Sequence, residues 1–94
     1  MTDQPTLAQF QQHIRDRYYA TDKARGAPAT FMWFIEEVGE LATALHGEDR
    51  ANLAAEFADV LAWLCTLANI SDIDLATAIK DKYLNKTGGP KGHK

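Results

Sequence analysis

Residues 50–69 constrain this chain more than any other stretch. At helical spacing, Leu53, Phe57, Val60, Leu61, Leu64, Leu67 and Ala68 make one apolar face. The opposite side, Ala54, Ala55, Ala58, Ala62 and Cys65, is small rather than polar. A helix that is apolar nearly all round has to be covered on every side. A chain of 94 residues buries only about 60–65% of its unfolded surface and is marginal alone. The expectation is therefore an all-α fold, a four-helix bundle completed by homo-oligomerisation.

The other helices follow from the same period of about 3.6 residues. Thr6 with Gln9 three residues on makes a capping box, and Leu7, Phe10, Ile14 and Tyr18 then recur on one face of a first helix. A loop is expected from about Tyr19 to Ala29, with Thr30 capping the second helix. That helix carries Phe31, Phe34, Ile35, Val38, Leu41, Ala42 and Leu45, and stops at Gly47. Asp49 caps the third helix. A link this short makes helices two and three antiparallel neighbours. Asp74 caps a short fourth helix from Leu75 to about Tyr83, with Leu75, Ile79 and Tyr83 inward. Gly88, Gly89 and Pro90 mark the end of helical sequence. The reading is one domain over 1–94, with a core of about 6–84 and a mobile basic tail over 87–94.

Composition narrows the function classes. Cys65 is the single cysteine, so neither an internal disulfide nor a cysteine-rich zinc site is available, and within an apolar run it reads as a small core residue. No run of about 18 uninterrupted apolar residues marks a membrane span, and the N-terminus lacks the pattern of a signal peptide, so a cytoplasmic location is expected. The net charge of −3 is unevenly spread. Residues 36–59 hold Glu36, Glu37, Glu40, Glu48, Asp49, Glu56 and Asp59 against Arg50 alone, whereas residues 80–94 hold five lysines against Asp81. A polymeric nucleic acid would call for a broad basic face. A concentrated carboxylate block calls for a cation, and through it a phosphate.

Helical geometry sharpens that block. Trp33, Glu37, Glu40 and Ala44 recur at i, i+4, i+7 and i+11 on helix two, and Asn52, Glu56, Asp59 and Trp63 do so on helix three. In an antiparallel pair the two stripes can face each other. Neither carries Lys or Arg, and unpaired anions held together cost several kcal/mol each. A divalent cation relieves this, and so does protonation of one or two carboxyls. Oxygen-only ligands favour magnesium, with manganese as a substitute. Glu36 lies off the stripe, either as plain surface or placed to hold an attacking water. Glu48 and Asp49 serve the turn, and His13, His46 and His93 receive no role.

Glu36-Glu37-Val38-Gly39-Glu40 followed by Glu56-Phe57-Ala58-Asp59 resembles the E-E-x-x-E … E-x-x-D signature of the MazG-like all-α nucleoside triphosphate pyrophosphohydrolases, small single-domain type, over roughly residues 6–84. The resemblance implies hydrolysis of a nucleoside or deoxynucleoside triphosphate to the monophosphate and pyrophosphate, in the removal of unwanted nucleotides. It implies magnesium on Glu37, Glu40, Glu56 and Asp59. It also implies a homodimer or tetramer in which neighbouring subunits share the site. Trp33 and Trp63 are candidates to stack a base, with core packing as the other role of Trp63. Lys82, Asn85 and Lys86, and in the first loop Lys23 and Arg25, are candidates for phosphate contacts. The C-terminal segment departs from the family pattern, with no cysteine in TGGPKGHK. Two alternatives stay open: the related phosphoribosyl-ATP pyrophosphohydrolase, and a non-catalytic helical interaction module.

Overall fold

A capping box opens the first helix in the computed structural model, which describes residues 3–85. The Thr6 hydroxyl accepts from the Gln9 amide at 3.0 Å, and the Gln9 side chain accepts from the Thr6 amide at 2.8 Å. Helix α1 then runs Leu7–Arg25, α2 Ala27–His46, α3 Arg50–Ile70 and α4 Leu75–Ile79, the last winding on as a π-helical turn over Lys80–Leu84. The described residues hold no strand. The expected all-α class is met. The expected basic tail, with Lys86 and His93, lies outside the described residues.

One boundary differs from expectation. The chain from Tyr19 to Arg25 is helical, and the break before α2 is Gly26 alone. Ala20, Lys23, Ala24 and Arg25 are good helix formers, so the helix persists until a residue that cannot continue it. Gly26 sits at φ 85, ψ 164, a region that is essentially glycine-only. Pro28 follows in the first turn of α2, where a missing N–H costs nothing. Thr30 is accordingly not a cap. It lies inside α2, fully buried, and its hydroxyl accepts from Arg25 Nε at 2.9 Å.

Both α1 and α2 pack chiefly on α3, and α4 rests on α1. Asp49 caps α3 by accepting from the Asn52 amide at 3.0 Å, and Asp74 caps α4, both as expected. Leu75 is half-buried, but Ile79 and Tyr83 are exposed rather than inward, because so short a helix lying on α1 has one covered side. The core gathers around the C-terminal half of α3, where Cys65, Ala68 and Ile70 are buried with Ile14 of α1. Burial pushes the Cys65 thiol above its ordinary pKa, which suits a packing role. At that end Gln11 and Asn69 hold the α3–α4 corner. Gln11 Nε2 donates to Asn69 Oδ1 at 2.9 Å and to the Ile73 carbonyl at 2.7 Å, while its Oε1 accepts from the Leu75 amide at 2.9 Å.

By length and mean hydropathy, 1.4 over its most apolar window, α3 meets the test for a membrane-crossing helix, although no uninterrupted apolar run signals it. It packs between α1 and α2 and carries Glu56 and Asp59 midway. Its covering is incomplete. Cys65 is buried and Ala62 half-buried, but Ala54, Ala55 and Ala58 are exposed. Phe57, Leu61 and Leu64 on α3 and Phe31, Ile35, Val38 and Leu45 on α2, expected in the core, are also exposed.

Candidate functional site

Helices α2 and α3 are joined by Gly47, Glu48 and Asp49 only, and the side chains between them record the register. Trp33 stacks on Trp63 with ring centroids 6.3 Å apart and planes 17° from parallel. One turn further along, Glu37 feels Asp59; one turn beyond that, Glu40 acts on Glu56. Each pair of residue numbers has the same total, as in an antiparallel ladder. The two stripes read from spacing do face each other, and the four carboxylates form one seam.

Its electrostatics are those of crowded anions. The Glu37 carboxyl is raised from 4.5 to about 7, first by a hydrogen bond to the Glu40 carboxyl, then by burial, then by the charges of Glu40, Asp59 and Glu56. A hydrogen bond between two carboxyls requires a proton between them, which is why it raises the Glu37 carboxyl. Glu56 is also raised, first by burial, then by the charge of Glu40 and a hydrogen bond to Asp59. The repulsion expected from the sequence is therefore present, and in the protein alone it is relieved by protonation.

The donor set fits a hard divalent cation: four carboxylates, no sulfur or nitrogen ligand, and no base on either stripe. The oxygens are not closed into a finished ligand shell. Among the described residues no group of three or more acidic, His or Cys side chains has the arrangement of a formed metal centre. The raised carboxyls of Glu37 and Glu56, each acted on by the neighbouring acids, are the firmer sign that the seam is one electrostatic environment.

The remaining sequence candidates fall in three places. Glu36 is exposed beside the seam, and Trp33 is half-exposed at its end, 50%. Lys23 and Arg25 are engaged within the fold: Lys23 Nζ donates to the Ile70 carbonyl at 3.1 Å, and Arg25 pairs with Asp22 at 2.6 Å. Lys82 lies over the Tyr83 ring at 5.8 Å, and Asn85 ends the π-helical turn, both beyond α4. The four seam carboxylates are brought together with Trp33 and Trp63. Of the basic candidates, Arg25 reaches the Trp63 ring, and no ion pair joins any of them to the four carboxylates among the described residues.

One cluster was missed in the sequence. Asp22 and Thr30 are buried, and Arg25 joins them while lying 5.2 Å over the Trp63 ring. An i, i+3 Asp–Arg pair reads as loop charge only if α1 is taken to end early. A helix carried through to Gly26 places both residues against α3.

Comparison with curated proteins gives no match. A family model, that of the MazG nucleotide pyrophosphohydrolase domain, matches residues 26–88. The match begins at Gly26, where α2 starts, and takes in the whole carboxylate hairpin and α4. Seam, register and family model therefore point the same way, and the chain belongs to the MazG nucleotide pyrophosphohydrolase family.

Proposed function

We propose that the protein is a magnesium-dependent nucleoside triphosphate pyrophosphohydrolase, converting a nucleoside or deoxynucleoside triphosphate and water to the monophosphate and pyrophosphate, in the service of nucleotide-pool cleansing. The observation that carries this is the seam of Glu37, Glu40, Glu56 and Asp59 with no base among them. Magnesium, when bound, supplies charge neutralisation for the triphosphate and lowers the pKa of a bound water. Glu37, Glu40, Glu56 and Asp59 hold it. Glu36, exposed beside the seam, orients the water toward the α-phosphorus and takes its proton. Trp33 offers a ring face to the nucleotide, and base stacking of this kind tolerates any base. The exposed apolar faces of α2 and α3 are covered by a second copy or more of the chain. Lys23, Arg25, Lys82 and Asn85 are candidates for phosphate contacts from the same or a neighbouring subunit.

Incubation with a panel of nucleoside triphosphates, magnesium and 18O-labelled water tests this reading. Label in the monophosphate and stoichiometric pyrophosphate are expected. Release of orthophosphate, or no turnover of any member, overturns it. Turnover of phosphoribosyl-ATP alone moves the assignment to that related activity.

A further inference from the structure

Between the C-terminal turns of α1 and the C-terminal half of α3 lies a cleft of about 310 Å³, lined among others by Ile14, Tyr18, Asp22, Arg25, Trp63 and Thr66. Most of its wall is apolar. Its polar side chains are Thr21, Thr66, Arg25, the Tyr18 hydroxyl and Asp22, and Asp22 is only 5% exposed. Its Oδ1 accepts from Arg25 Nη2 at 2.6 Å. Its Oδ2 is buried and has no hydrogen-bond partner among the described residues. The helix-internal ion pair accounts for one oxygen and leaves the other unexplained. A buried acceptor without a donor is rare in native proteins and costly to keep. The carboxylate oxygen of an Asp–Arg ion pair is an acceptor and not a donor. The cleft is short of one N–H or O–H donor.

The surroundings say what kind of group brings that donor. The Trp63 ring is part of the wall, backed by Trp33 on one side and by the Arg25 guanidinium at 5.2 Å. Trp63 stands four residues beyond Asp59, which is about 6 Å along the helix axis, so the cleft opens one turn from the carboxylate seam. A flat ring wall and a single unmet acceptor suit a flat heterocycle that carries an N–H at its edge.

Resting on the proposed hydrolase reading, we propose that this cleft takes the base of the nucleotide, and that Asp22 accepts an N–H from its exocyclic amino group, which makes Asp22 a specificity-determining residue favouring amino-bearing over keto-bearing bases. Asp22 lies on α1, outside the residues matched by the family model, so the assignment rests on the geometry of this chain. A keto oxygen at the same place would face the carboxylate oxygen with no proton between them, and the neighbouring ring N–H of such a base would reach Asp22 only if the base shifted across the cleft.

Two substrate pairs isolate the amino group: CTP against UTP, and ATP against inosine triphosphate. The wild type should favour the amino member of at least one pair in kcat/KM by about tenfold or more; the pair that discriminates shows whether the base is a pyrimidine or a purine. In Asp22→Asn, whose amide offers a donor to a keto oxygen, that ratio should fall toward one or invert. Ratios near one in the wild type for both pairs, or a ratio unchanged in a folded Asp22→Asn, overturn the proposal while leaving pyrophosphate release intact. Absence of all turnover overturns the hydrolase reading instead. In that case, or if Asp22→Asn does not fold, titration of the wild type with nucleosides in chelator decides. The chain has two tryptophans, Trp63 in the cleft wall and Trp33 stacked on it, so their fluorescence reports binding. Cytidine or adenosine should quench it at concentrations about tenfold or more below uridine or inosine. Equal quenching within each pair, or none, overturns the proposal.

Discussion

Replacing Glu37 with Gln should make the metal-free protein more stable at neutral pH while removing its response to magnesium. The folded Glu37 carboxyl titrates at about 7 against an ordinary 4.5. Between those values the folded state holds a proton that the unfolded state has released. Stability therefore falls as pH rises through this window, and the loss is complete above about 7. A shift of this size has a ceiling of about 3 kcal/mol. The group is only half-buried, so solvent screening brings the expected value nearer to about 1 kcal/mol. For a chain of this length that is roughly 4–8 °C in Tm. The assay is thermal unfolding of wild type and Glu37→Gln in chelator from pH 4.5 to 8. Taking the difference between the two cancels the titrating groups that do not interact with Glu37. The two should melt together at the acid end, and the variant should melt higher by that margin at pH 8. With magnesium at a hundredfold excess over its dissociation constant, the wild type should gain about 2.7 kcal/mol by mass action and the variant much less. Parallel melting curves across the whole pH range would refute the seam as an electrostatic unit, and equal stabilisation by magnesium would remove Glu37 from the ligand set.

Three further outcomes check other parts of the fold. Gly26→Ala should cost about 1–3 kcal/mol, since its φ of 85 and ψ of 164 suit glycine alone although the added Cβ would only touch Pro28 at 3.9 Å; urea denaturation showing less than about 0.5 kcal/mol would mean that the helix break does not depend on this conformation. Asn69→Ala should cost about 1–3 kcal/mol, because Asn69 is 2% exposed and its loss strands the Gln11 amide on one side; hydrogen exchange should speed up first in the α4 amides, and uniform acceleration would contradict a local role. Phe57→Glu should leave the secondary structure intact, since the ring is 54% exposed in one chain, yet turn an oligomer into monomer in sedimentation at micromolar concentration; a well-folded wild-type monomer there would refute the covering of these faces by a second copy.

What was legible from sequence was whatever repeats with the helix. The two stripes needed only a period of 3.6 and a short link to be set opposite each other, and Trp33 on Trp63, Glu37 near Asp59 and Glu40 near Glu56 follow from that alone. Caps were legible for the same local reason, since Thr6, Asp49 and Asp74 act within three residues. The first helix boundary was not, because the charged residues Asp22, Lys23 and Arg25 look like a loop when counted by polarity. Their partners lie far along the chain: Lys23 on the Ile70 carbonyl, and Arg25 on the Trp63 ring. The Gln11–Asn69 clamp was hidden likewise, since neither amide carries a pattern and their meeting depends on how α1 crosses α3.

The exposed apolar faces and the carboxylate seam have a common origin in α3. A helix with acids on one stripe and apolar or small residues everywhere else can satisfy neither demand inside a chain of this size. The chain covers the C-terminal half of α3 with α1 and leaves Ala54, Ala55, Phe57 and Ala58 bare. The bare stretch is the one that carries Glu56 and Asp59. Covering it with a second copy would withdraw water from around the acids, which raises the cost of their charge and so strengthens their preference for a cation over solvent. Assembly and metal binding are then linked, each favouring the other by the same factor. Magnesium should accordingly lower the dissociation constant of the oligomer, and dilution should weaken magnesium binding. An oligomer whose dissociation constant is the same in chelator and in magnesium would separate the two and place the carboxylates away from the contact.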